Sequence, residues 1–353
     1  MTPKPVGAAE AVAALERYDA IVDVRSPAEF AEDHLPGAVN WPVLSDEERA
    51  RVGTLYVQTS PMAARQVGAA LVARNIAAAI ERHVQGVPRE WQPLVYCWRG
   101  GQRSGAMAWF LGQIGFRTAQ LQGGYKAFRA LVRADLAELP LRFDYRVLAG
   151  RTGSGKTRLL QALREAGAQV LDLEGIACHR GSVLGGLPGT PQPSQKAFDT
   201  ALWQALRALD PARAVFVESE SKKVGSLQLP EALVARMRDQ GRCLRVQMSD
   251  AARTQLLLEE YGFFAKDVEG FCKLLDALVD LRGRERVKHW QAMARSGHWA
   301  ELFALLMAEH YDPLYERSMQ RHFAGLAQAP LVELADGGPQ ALARAARELA
   351  EQA

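Results

Sequence analysis

Short apolar runs alternate with stretches of helical periodicity along the first part of the chain. Three runs predict buried strands, at residues 18–25, 93–97 and 118–124. Three stretches with helical spacing lie between or beside them, at residues 26–34, 62–83 and 104–116. Strands that alternate with helices in this way predict a parallel sheet with helices on both faces.

The same alternation starts again after Pro140. Residues 145–150, 168–174 and 212–219 predict strands, and residues 156–167 predict a helix that ends at a glycine. Beyond residue 230 the chain is mostly helical in pattern and richer in arginine. The sequence therefore predicts an α/β protein of two domains, a parallel-sheet domain over residues 1–138 and a second α/β domain over 139–353 with a helical, Arg-rich extension.

Composition narrows the classes of function. The chain has 353 residues, 48% of them hydrophobic and 24% charged, which is typical of a globular protein. Its net charge of +3 excludes a strongly basic nucleic-acid protein, so such a partner would have to meet local patches. The four cysteines form no CxxC pair, which argues against a zinc site and a disulfide framework and favours a reducing cytoplasm. No signal peptide or membrane span is predicted.

A phosphate-binding loop lies between the strand at 145–150 and the helix at 156–167. Its sequence fills the GxxxxGK[ST] pattern, in which glycines let backbone N–H groups turn inward around a phosphate. The lysine supplies a positive charge, and the threonine hydroxyl can bind Mg²⁺ or a phosphate oxygen. The residues predicted to bind a phosphate or diphosphate are Gly150, Gly153, Gly155, Lys156 and Thr157.

Acidic residues follow the next two predicted strands. Glu218 comes directly after the apolar run at 212–217, where nucleotide hydrolases carry an acid that helps to hold Mg²⁺. Asp172 and Glu174 end the strand before it, where acids often bind substrate. These side chains are candidates for metal or substrate binding, although Glu218 and the weaker candidate Glu220 could equally be solvated loop residues, so no metal is assigned. We expect no tightly bound cofactor, and Mg²⁺ is the ion that these acids would suit.

One cysteine lies in a basic, glycine-rich loop. Cys97 ends the strand at 93–97, and Arg103 stands six residues on, just before a helix. Gly100 and Gly101 would let the loop turn so that several N–H groups point at the sulfur. These groups, together with Arg99 and Arg103, favour the thiolate, so we predict a reactive cysteine in an anion-binding loop rather than a packed structural one.

A basic stretch at residues 281–290 is a candidate for phosphate contacts with RNA. At helical spacing Arg282 and Arg286 would share a face, with Lys288 nearby and Trp290 available to stack on a base. The alternative is an ordinary solvated helix face.

Motifs in both domains carry a family resemblance. DVRSPAEFAEDHLPGAVN (23–40), the Cys97 loop and LQGGYKAFR (121–129) together resemble a rhodanese domain. In such domains the cysteine carries sulfur or selenium, and the resemblance implies architectural roles for Asp23, Arg25 and His34. Followed by the phosphate loop, DLEGIACHRGS, PSQKAFD and VESESKKVG, the chain resembles the tRNA 2-selenouridine synthase family over residues 15–320.

The resemblance implies a two-stage reaction in the cytoplasm on tRNA whose wobble uridine already carries 2-thiouridine. A geranyl group from geranyl diphosphate is first placed on the sulfur, and selenium derived from selenophosphate then replaces the geranylated sulfur. The phosphate loop would hold the diphosphate, and Cys97 would carry or deliver selenium. The implied partners are the anticodon region of tRNA and an enzyme that supplies selenophosphate.

Two other functions fit parts of the pattern. An ATP-dependent sulfurtransferase or kinase, acting on RNA or a small molecule, would use Glu218 as its metal-site acid and would turn over nucleotide. A regulatory module whose loops only sense anions would not need Cys97.

Overall fold

The computed structural model describes residues 1–182 and 184–352, and the chain divides into two compact units. The first unit consists of Met1–Asp135 together with Pro193–Thr200. The second consists of Leu136–Gln192 and Ala201–Ala353. The two-domain prediction assigned Pro193–Thr200 to the second domain, whereas the structure places this segment in the first unit.

The first unit contains a parallel sheet with the strand order β1-β5-β4-β2-β3. Its strands are β1 (Lys4–Val6), β2 (Ala20–Asp23), β3 (Ala38–Asn40), β4 (Pro93–Tyr96) and β5 (Ala119–Leu121). The α-helices between Met1 and Glu138 are α1 (Ala8–Val12), α2 (Pro27–Glu32), α3 (Asp46–Gln58), α4 (Pro61–His83), α5 (Gln102–Ile114) and α6 (Gly124–Glu138).

Local sequence explains where these helices begin and end. Helix α2 starts with a capping box between Ser26 and Glu29, and α5 ends at Gly115 in the left-handed conformation. The buried strands β2 and β4 supply Val22 and Val95 to a core that is closed by Met107 and Leu111 of α5. This packing fixes the end of β4, and therefore the position of the cysteine that follows it.

The second unit contains another parallel sheet, with the strand order β12-β11-β6-β8-β7. Its strands are β6 (Tyr145–Ala149), β7 (Gln169–Leu171), β8 (Val215–Glu218), β11 (Arg242–Gln247) and β12 (Leu331–Glu333), and a small antiparallel pair is formed by β9 (Lys223–Val224) and β10 (Leu227–Gln228). The remaining helices are α7 (Lys156–Glu165), α8 (Leu173–Ala177), α9 (Gln195–Arg207), α10 (Glu231–Asp239), α11 (Asp250–Glu260), α12 (Val268–Asp276), α13 (Val279–Arg282), α14 (Arg284–Arg295), α15 (Trp299–Leu306), α16 (Asp312–His322) and α17 (Pro339–Glu351), with a π-helical turn at Met307–Tyr311.

The last part of the chain belongs to this second sheet as well as to its helical layer. Strand β11 lies between β6 and β12, so two of the five strands come from beyond residue 230. Helix α17 packs Leu342 and Ala346 into the same core as Leu159 and Leu163 of α7. The predicted α/β class is therefore confirmed. Within the described part of the chain, no helix is both long and apolar enough to span a membrane.

Candidate functional site

Cys97 follows β4 directly and is buried, with 3% of its surface exposed. The hydroxyl of Ser104, in the first turn of α5, donates a hydrogen bond to its sulfur at 3.2 Å. The carbonyl of Cys97 accepts a hydrogen bond from the backbone N–H of Tyr125 at 2.8 Å. The thiol is thus held between a strand end, a helix start and the Gly-Gly segment before α6.

Two glycines allow this close packing. Gly100 has a φ of +64°, and a Cβ there would lie 2.4 Å from the carbonyl oxygen of Leu121. Gly124 has a φ of +56°, and a Cβ there would lie 2.2 Å from the carbonyl oxygen of Cys97. Gly101 differs, because its φ is −98° and a Cβ would meet nothing within 4 Å. Gly100 is thus needed for the space around it, whereas the ψ of −141° at Gly101 lies outside the regions that residues with a Cβ commonly adopt.

The two arginines of the loop are placed differently. Arg99 is exposed to solvent. Arg103 is half-buried and donates to the carboxylate of Glu29 at 2.9 Å. Burial alone would raise the pKa of Glu29, but Arg103 and Arg49 outweigh it and lower that pKa. Arg103 can bind an incoming anion only in competition with Glu29, whereas Arg99 faces solvent.

Asp23 and Arg25 form a buried pair beneath the loop. The guanidinium donates to the Asp23 carboxylate at distances from 2.6 to 3.0 Å and stacks over Tyr125 with 3.9 Å between the charge centre and the ring. The His34 ring stacks on Phe30, and its Nδ1 lies 3.0 Å from that residue's carbonyl oxygen. These contacts stabilise the fold and touch no part of the thiol, which fits the architectural roles predicted for all three.

The phosphate loop lies in the second unit between β6 and α7. Gly153 and Gly155 have φ values of +74° and +83°, which only glycine adopts readily. A Cβ at Gly150 would lie 2.5 Å from the Ser154 hydroxyl oxygen and 2.6 Å from the Val246 carbonyl oxygen. The Lys156 ammonium turns back to donate to the Gly150 carbonyl at 2.8 Å. The loop has the curvature that phosphate binding needs, and it opens on a cavity of about 430 Å³.

Three carboxylates meet beside the loop, and two of them, Glu174 and Glu218, line this cavity. Oxygen atoms of Glu174, Glu218 and Glu220 lie within 4.8 Å of one another, and the Thr157 hydroxyl donates to Glu174 at 3.4 Å. One oxygen of Glu218 is buried without a hydrogen-bond partner among the described residues. A Cβ at Gly181 would lie 2.9 Å from a Glu174 oxygen, so a side chain there would intrude on the carboxylates.

Burial and mutual repulsion raise the pKa of these three carboxyl groups, because both make their negative charge unfavourable. Burial, followed by repulsion from Glu218, raises the pKa of Glu174 to about 9. The same two causes raise the pKa of Glu220 to about 7. Burial raises the pKa of Glu218 too, although Lys156 opposes this. A divalent cation would supply the missing charge, and its preferred ligands are oxygens of this kind.

Asp172 lies outside this cluster. Its carboxylate accepts a hydrogen bond from the Gly175 N–H at 2.8 Å and so caps the start of α8. It also lies 3.7 Å from the guanidinium of Arg164. Of the acids proposed from the sequence, the structure brings Glu174 and Glu218 together, adds Glu220, and gives Asp172 a capping position.

Comparison with known proteins agrees with both halves of this description. Residues 7–131 match the rhodanese-like domain, and residues 143–273 match the tRNA 2-selenouridine synthase AAA domain. The tRNA 2-selenouridine synthase of Alcanivorax borkumensis is 34% identical over 338 residues, which cover 85% of this chain and 90% of the relative. That of Marinobacter nauticus is 32% identical over 357 residues, or 93% and 94% of the two chains.

The chain belongs to the tRNA 2-selenouridine synthase family. This confirms the resemblance that the motifs carried. A third relative, from Sulfurovum sp., is 32% identical over 87% of this chain and 92% of its own length.

Two residues that the sequence did not single out hold the phosphate loop of this family member. Arg253 is buried and donates to the Thr152 carbonyl at 2.8 and 2.9 Å, while it also pairs with Asp312 at 2.6 Å. The Tyr315 hydroxyl accepts a hydrogen bond from the Gly150 N–H, and its ring lies 5.7 Å from the Lys156 ammonium. Both lie far along the chain from the loop, and no local motif marks them.

The Arg-rich stretch differs from the prediction. Gly283, with a φ of +84°, separates α13 from α14, so Arg282 and Arg286 do not share the face of one continuous helix. Arg282 donates to the His310 ring at 3.0 Å, while Arg286 and Lys288 are exposed in ion pairs with glutamates at 3.4 and 3.7 Å. Trp290 is fully buried in the core and is not available to stack on a base.

Proposed function

We propose that this protein is the enzyme that converts 2-thiouridine in tRNA to 2-selenouridine, by geranylation of the sulfur and then replacement of that sulfur by selenium. The observation that carries the proposal is that one chain holds two differently equipped sites, a buried thiol in a tight loop and a phosphate cradle beside three carboxylates. The curated relatives are named tRNA 2-selenouridine synthases. The substrate is the anticodon region of tRNA, with its wobble 2-thiouridine.

The first step belongs to the phosphate loop. The thiocarbonyl sulfur of the base forms a bond to the first carbon of geranyl diphosphate, the carbon–oxygen bond breaks, and the base loses its N3 proton. Diphosphate leaves with the bonding electron pair, so its negative charge grows in the transition state. We assign the binding of that charge to Lys156, which would exchange its bond to the Gly150 carbonyl for the diphosphate, and to the N–H groups at the start of α7.

An apolar recess supports a prenyl diphosphate as the ligand here. Phe264, Phe303 and Tyr311 line it, and it shares Thr152, Ser182, Leu257 and Tyr261 with the phosphate cavity. Its volume is only about 30 Å³, so neighbouring side chains must move before a geranyl chain can enter. A diphosphate with an apolar tail matches both parts of this surface, whereas a free inorganic diphosphate uses only one.

Mg²⁺ suits the carboxylates beside the loop. Glu174, Glu218, Glu220 and the Thr157 hydroxyl would hold it, since they provide oxygen ligands and an unpartnered buried acceptor. Bound there, the ion supplies positive charge that compensates both the carboxylates and a diphosphate. Without it the acidic cluster would repel the diphosphate that Lys156 attracts.

The second step belongs to the cysteine loop. Selenium from selenophosphate forms a bond to C2 of the geranylated base, and the carbon–sulfur bond breaks. Geranylthiol leaves with a proton, and water splits the selenium–phosphorus bond to release phosphate. The exchange needs neither an oxidant nor a reductant, because selenium stays at the level of selenide. We assign Cys97 to this step, with Arg99 as the exposed cation for selenophosphate.

Mass spectrometry of tRNA nucleosides tests both assignments. The protein is incubated with thiolated tRNA and geranyl diphosphate, with and without selenophosphate. We expect the Lys156→Ala variant to lose geranylation first and the Cys97→Ala variant to keep geranylation but lose selenation. Normal selenouridine formation by Cys97→Ala would refute its role, and the absence of both products from the native protein would refute the function.

An ATP-dependent sulfurtransferase or kinase is the second candidate. Glu218 favours it, because this acid ends β8 next to the phosphate loop, where nucleotide hydrolases bind Mg²⁺. A steady-state ATP hydrolysis assay with Mg²⁺ separates the two functions. Turnover that tRNA stimulates and Glu218→Gln removes would support the second candidate and contradict the first.

A further inference from the structure

The first unit contains a cavity that the proposed reaction has not yet used. It has a volume of about 670 Å³ and lies between α3, α4 and α5. Binding sites for small molecules usually have volumes of about 300–1,000 Å³. Most of its lining is apolar, and it includes Val52, Tyr56, Val72, Ile76 and Phe110.

Some of these apolar side chains are exposed although they line a recess. Tyr56 has 57% of its surface exposed, and Phe110 has 37%. Grouped apolar side chains left in contact with water commonly mark a surface that another molecule covers. The cavity therefore has the properties of a ligand site and not of a packing defect in the core.

Positive charge stands at the edge of the cavity. Arg49, Arg65 and Arg103 all belong to its lining. Arg103 and Arg49 both approach Glu29, at 2.9 and 4.0 Å, and Arg65 is exposed. Two of these guanidinium groups thus share the Glu29 carboxylate, and the third, Arg65, faces solvent. A ligand that combines an apolar chain with nearby phosphates complements this arrangement.

The cavity begins next to the thiol. Gln102 and Arg103 line it, and the residue that follows them, Ser104, donates its hydrogen bond to the Cys97 sulfur. All three lie in the first turn of α5. One end of the cavity therefore lies at the same helix start that supplies the hydrogen bond to the thiol.

We propose that this cavity binds the geranyl chain of S-geranyl-2-thiouridine while C2 of the base is presented to the Cys97 loop, with the arginines meeting phosphates of the tRNA. The inference rests on the proposed two-step function. It gives the second site a means of selecting the geranylated base over the plain thiolated one. Selenium would then be introduced only after the sulfur has become part of a good leaving group.

A larger side chain that fills the cavity tests this proposal. Ala69 on α4 lines it and is exposed, whereas its neighbour Ala70 is also exposed and is not part of the lining. We compare Ala69→Trp with Ala70→Trp, using tRNA that has been geranylated beforehand and selenophosphate. We expect Ala69→Trp to raise KM about tenfold or more, the loss that corresponds to about two methylene groups no longer buried. Ala70→Trp should behave like the native protein.

A second substrate separates occupation of the cavity from damage to the fold. With S-methyl-2-thiouridine tRNA, which has no chain to bury, native protein and Ala69→Trp should react with the same KM. An equal KM for the geranylated substrate in native and Ala69→Trp proteins would overturn the inference, as would an effect of equal size on the methylated one. A changed oligomeric state in Ala69→Trp with unchanged KM would overturn it in favour of a protein interface.

The same assays distinguish this failure from failure of the proposed function. If native protein makes selenouridine from geranylated tRNA but the two tryptophan variants are alike, only the cavity assignment falls. If native protein makes none, the two-step function falls, and the cavity assignment with it.

Discussion

Replacement of Gly124 by alanine should disturb the cysteine loop more than any other single methyl group added there. The new Cβ would lie 2.2 Å from the Cys97 carbonyl oxygen, 2.5 Å from the Gly100 nitrogen and 3.0 Å from the Arg99 nitrogen. All three are backbone atoms, so no side-chain rotation can relieve the overlap. The φ of +56° adds a second cost, because an L-residue with a Cβ disfavours the left-handed region.

The size of the effect follows from these two costs. The left-handed conformation costs about 1–2 kcal/mol, and overpacking typically costs about 1–3 kcal/mol. Together they predict a loss of about 2–5 kcal/mol in the free energy of unfolding of the first unit. The Gly101→Ala variant is the control for backbone strain without overlap, because its Cβ meets nothing within 4 Å while its ψ of −141° lies outside the common regions.

Denaturant unfolding and thiol labelling measure the prediction. Gly124→Ala should unfold at lower denaturant, and its Cys97 should react faster with a thiol reagent because the carbonyl contact that fixes the loop is displaced. Gly101→Ala should lose less stability than Gly124→Ala and should label at the native rate. If the two variants proved equally stable and equally slow to label, the close packing of Gly124 against the loop would be refuted.

Other predictions concern the second unit. Folding raises the pKa of Glu174 from 4.5 to about 9 and that of Glu220 from 4.5 to about 7. The contribution of these two carboxyl groups to the free energy of unfolding is therefore fully present below pH 4.5 and is lost as the pH rises through the folded-state pKa values. Denaturant unfolding in Mg²⁺-free buffer should therefore show that the stability of the native protein falls between pH of about 5 and 9. The fall should be less steep in Glu174→Gln, and a flat profile of the native protein would contradict this. Mg²⁺ should raise the melting temperature at alkaline pH. Glu218→Gln should abolish this effect and Asp172→Asn should retain it, since Asp172 caps α8, pairs with Arg164 and lies outside the carboxylate cluster. Equal responses of the two variants would contradict the cation site. Arg253→Met should lower the free energy of unfolding by about 3 kcal/mol, because Asp312 loses its nearest partner. The exposed control Arg286→Met should lower it by only about 0–1 kcal/mol. Similar losses in both variants would show that Arg253 does not hold the loop.

The sequence alone predicts those elements that are specified by residues close to one another along the chain. The strand before Cys97 and the strand-loop-helix around Lys156 combine apolar runs with glycines in fixed places, and the structure has them within a few residues of the prediction. Family membership could also be read from these motifs. Their residues are specific because phosphate loops and thiol loops tolerate few other side chains at the tight turns.

Features that depend on distant parts of the chain were missed. Strand β11 reads RCLRVQ, in which arginines interrupt the apolar pattern, and only its pairing with β6 and β12 makes it a strand. Glu220 was only the weaker candidate beside Glu218, because it stands two residues past β8 and joins the carboxylates through the loop that follows that strand. The basic stretch was misread because Gly283 fits a helical spacing yet adopts a conformation that ends the helix.

The segment Pro193–Thr200 prevents the two halves of the protein from being independent modules along the sequence. Thr200 donates to the buried carboxylate of Asp33 at 3.0 Å, and Asp199 pairs with Arg129 at 2.7 Å. A fragment that stops at residue 138 would carry Asp33 and Arg129 without these partners. A rhodanese-like domain cut from this chain after residue 138 would therefore be an incomplete protein. Exchange of that domain between relatives would have to bring a short piece of the other half with it.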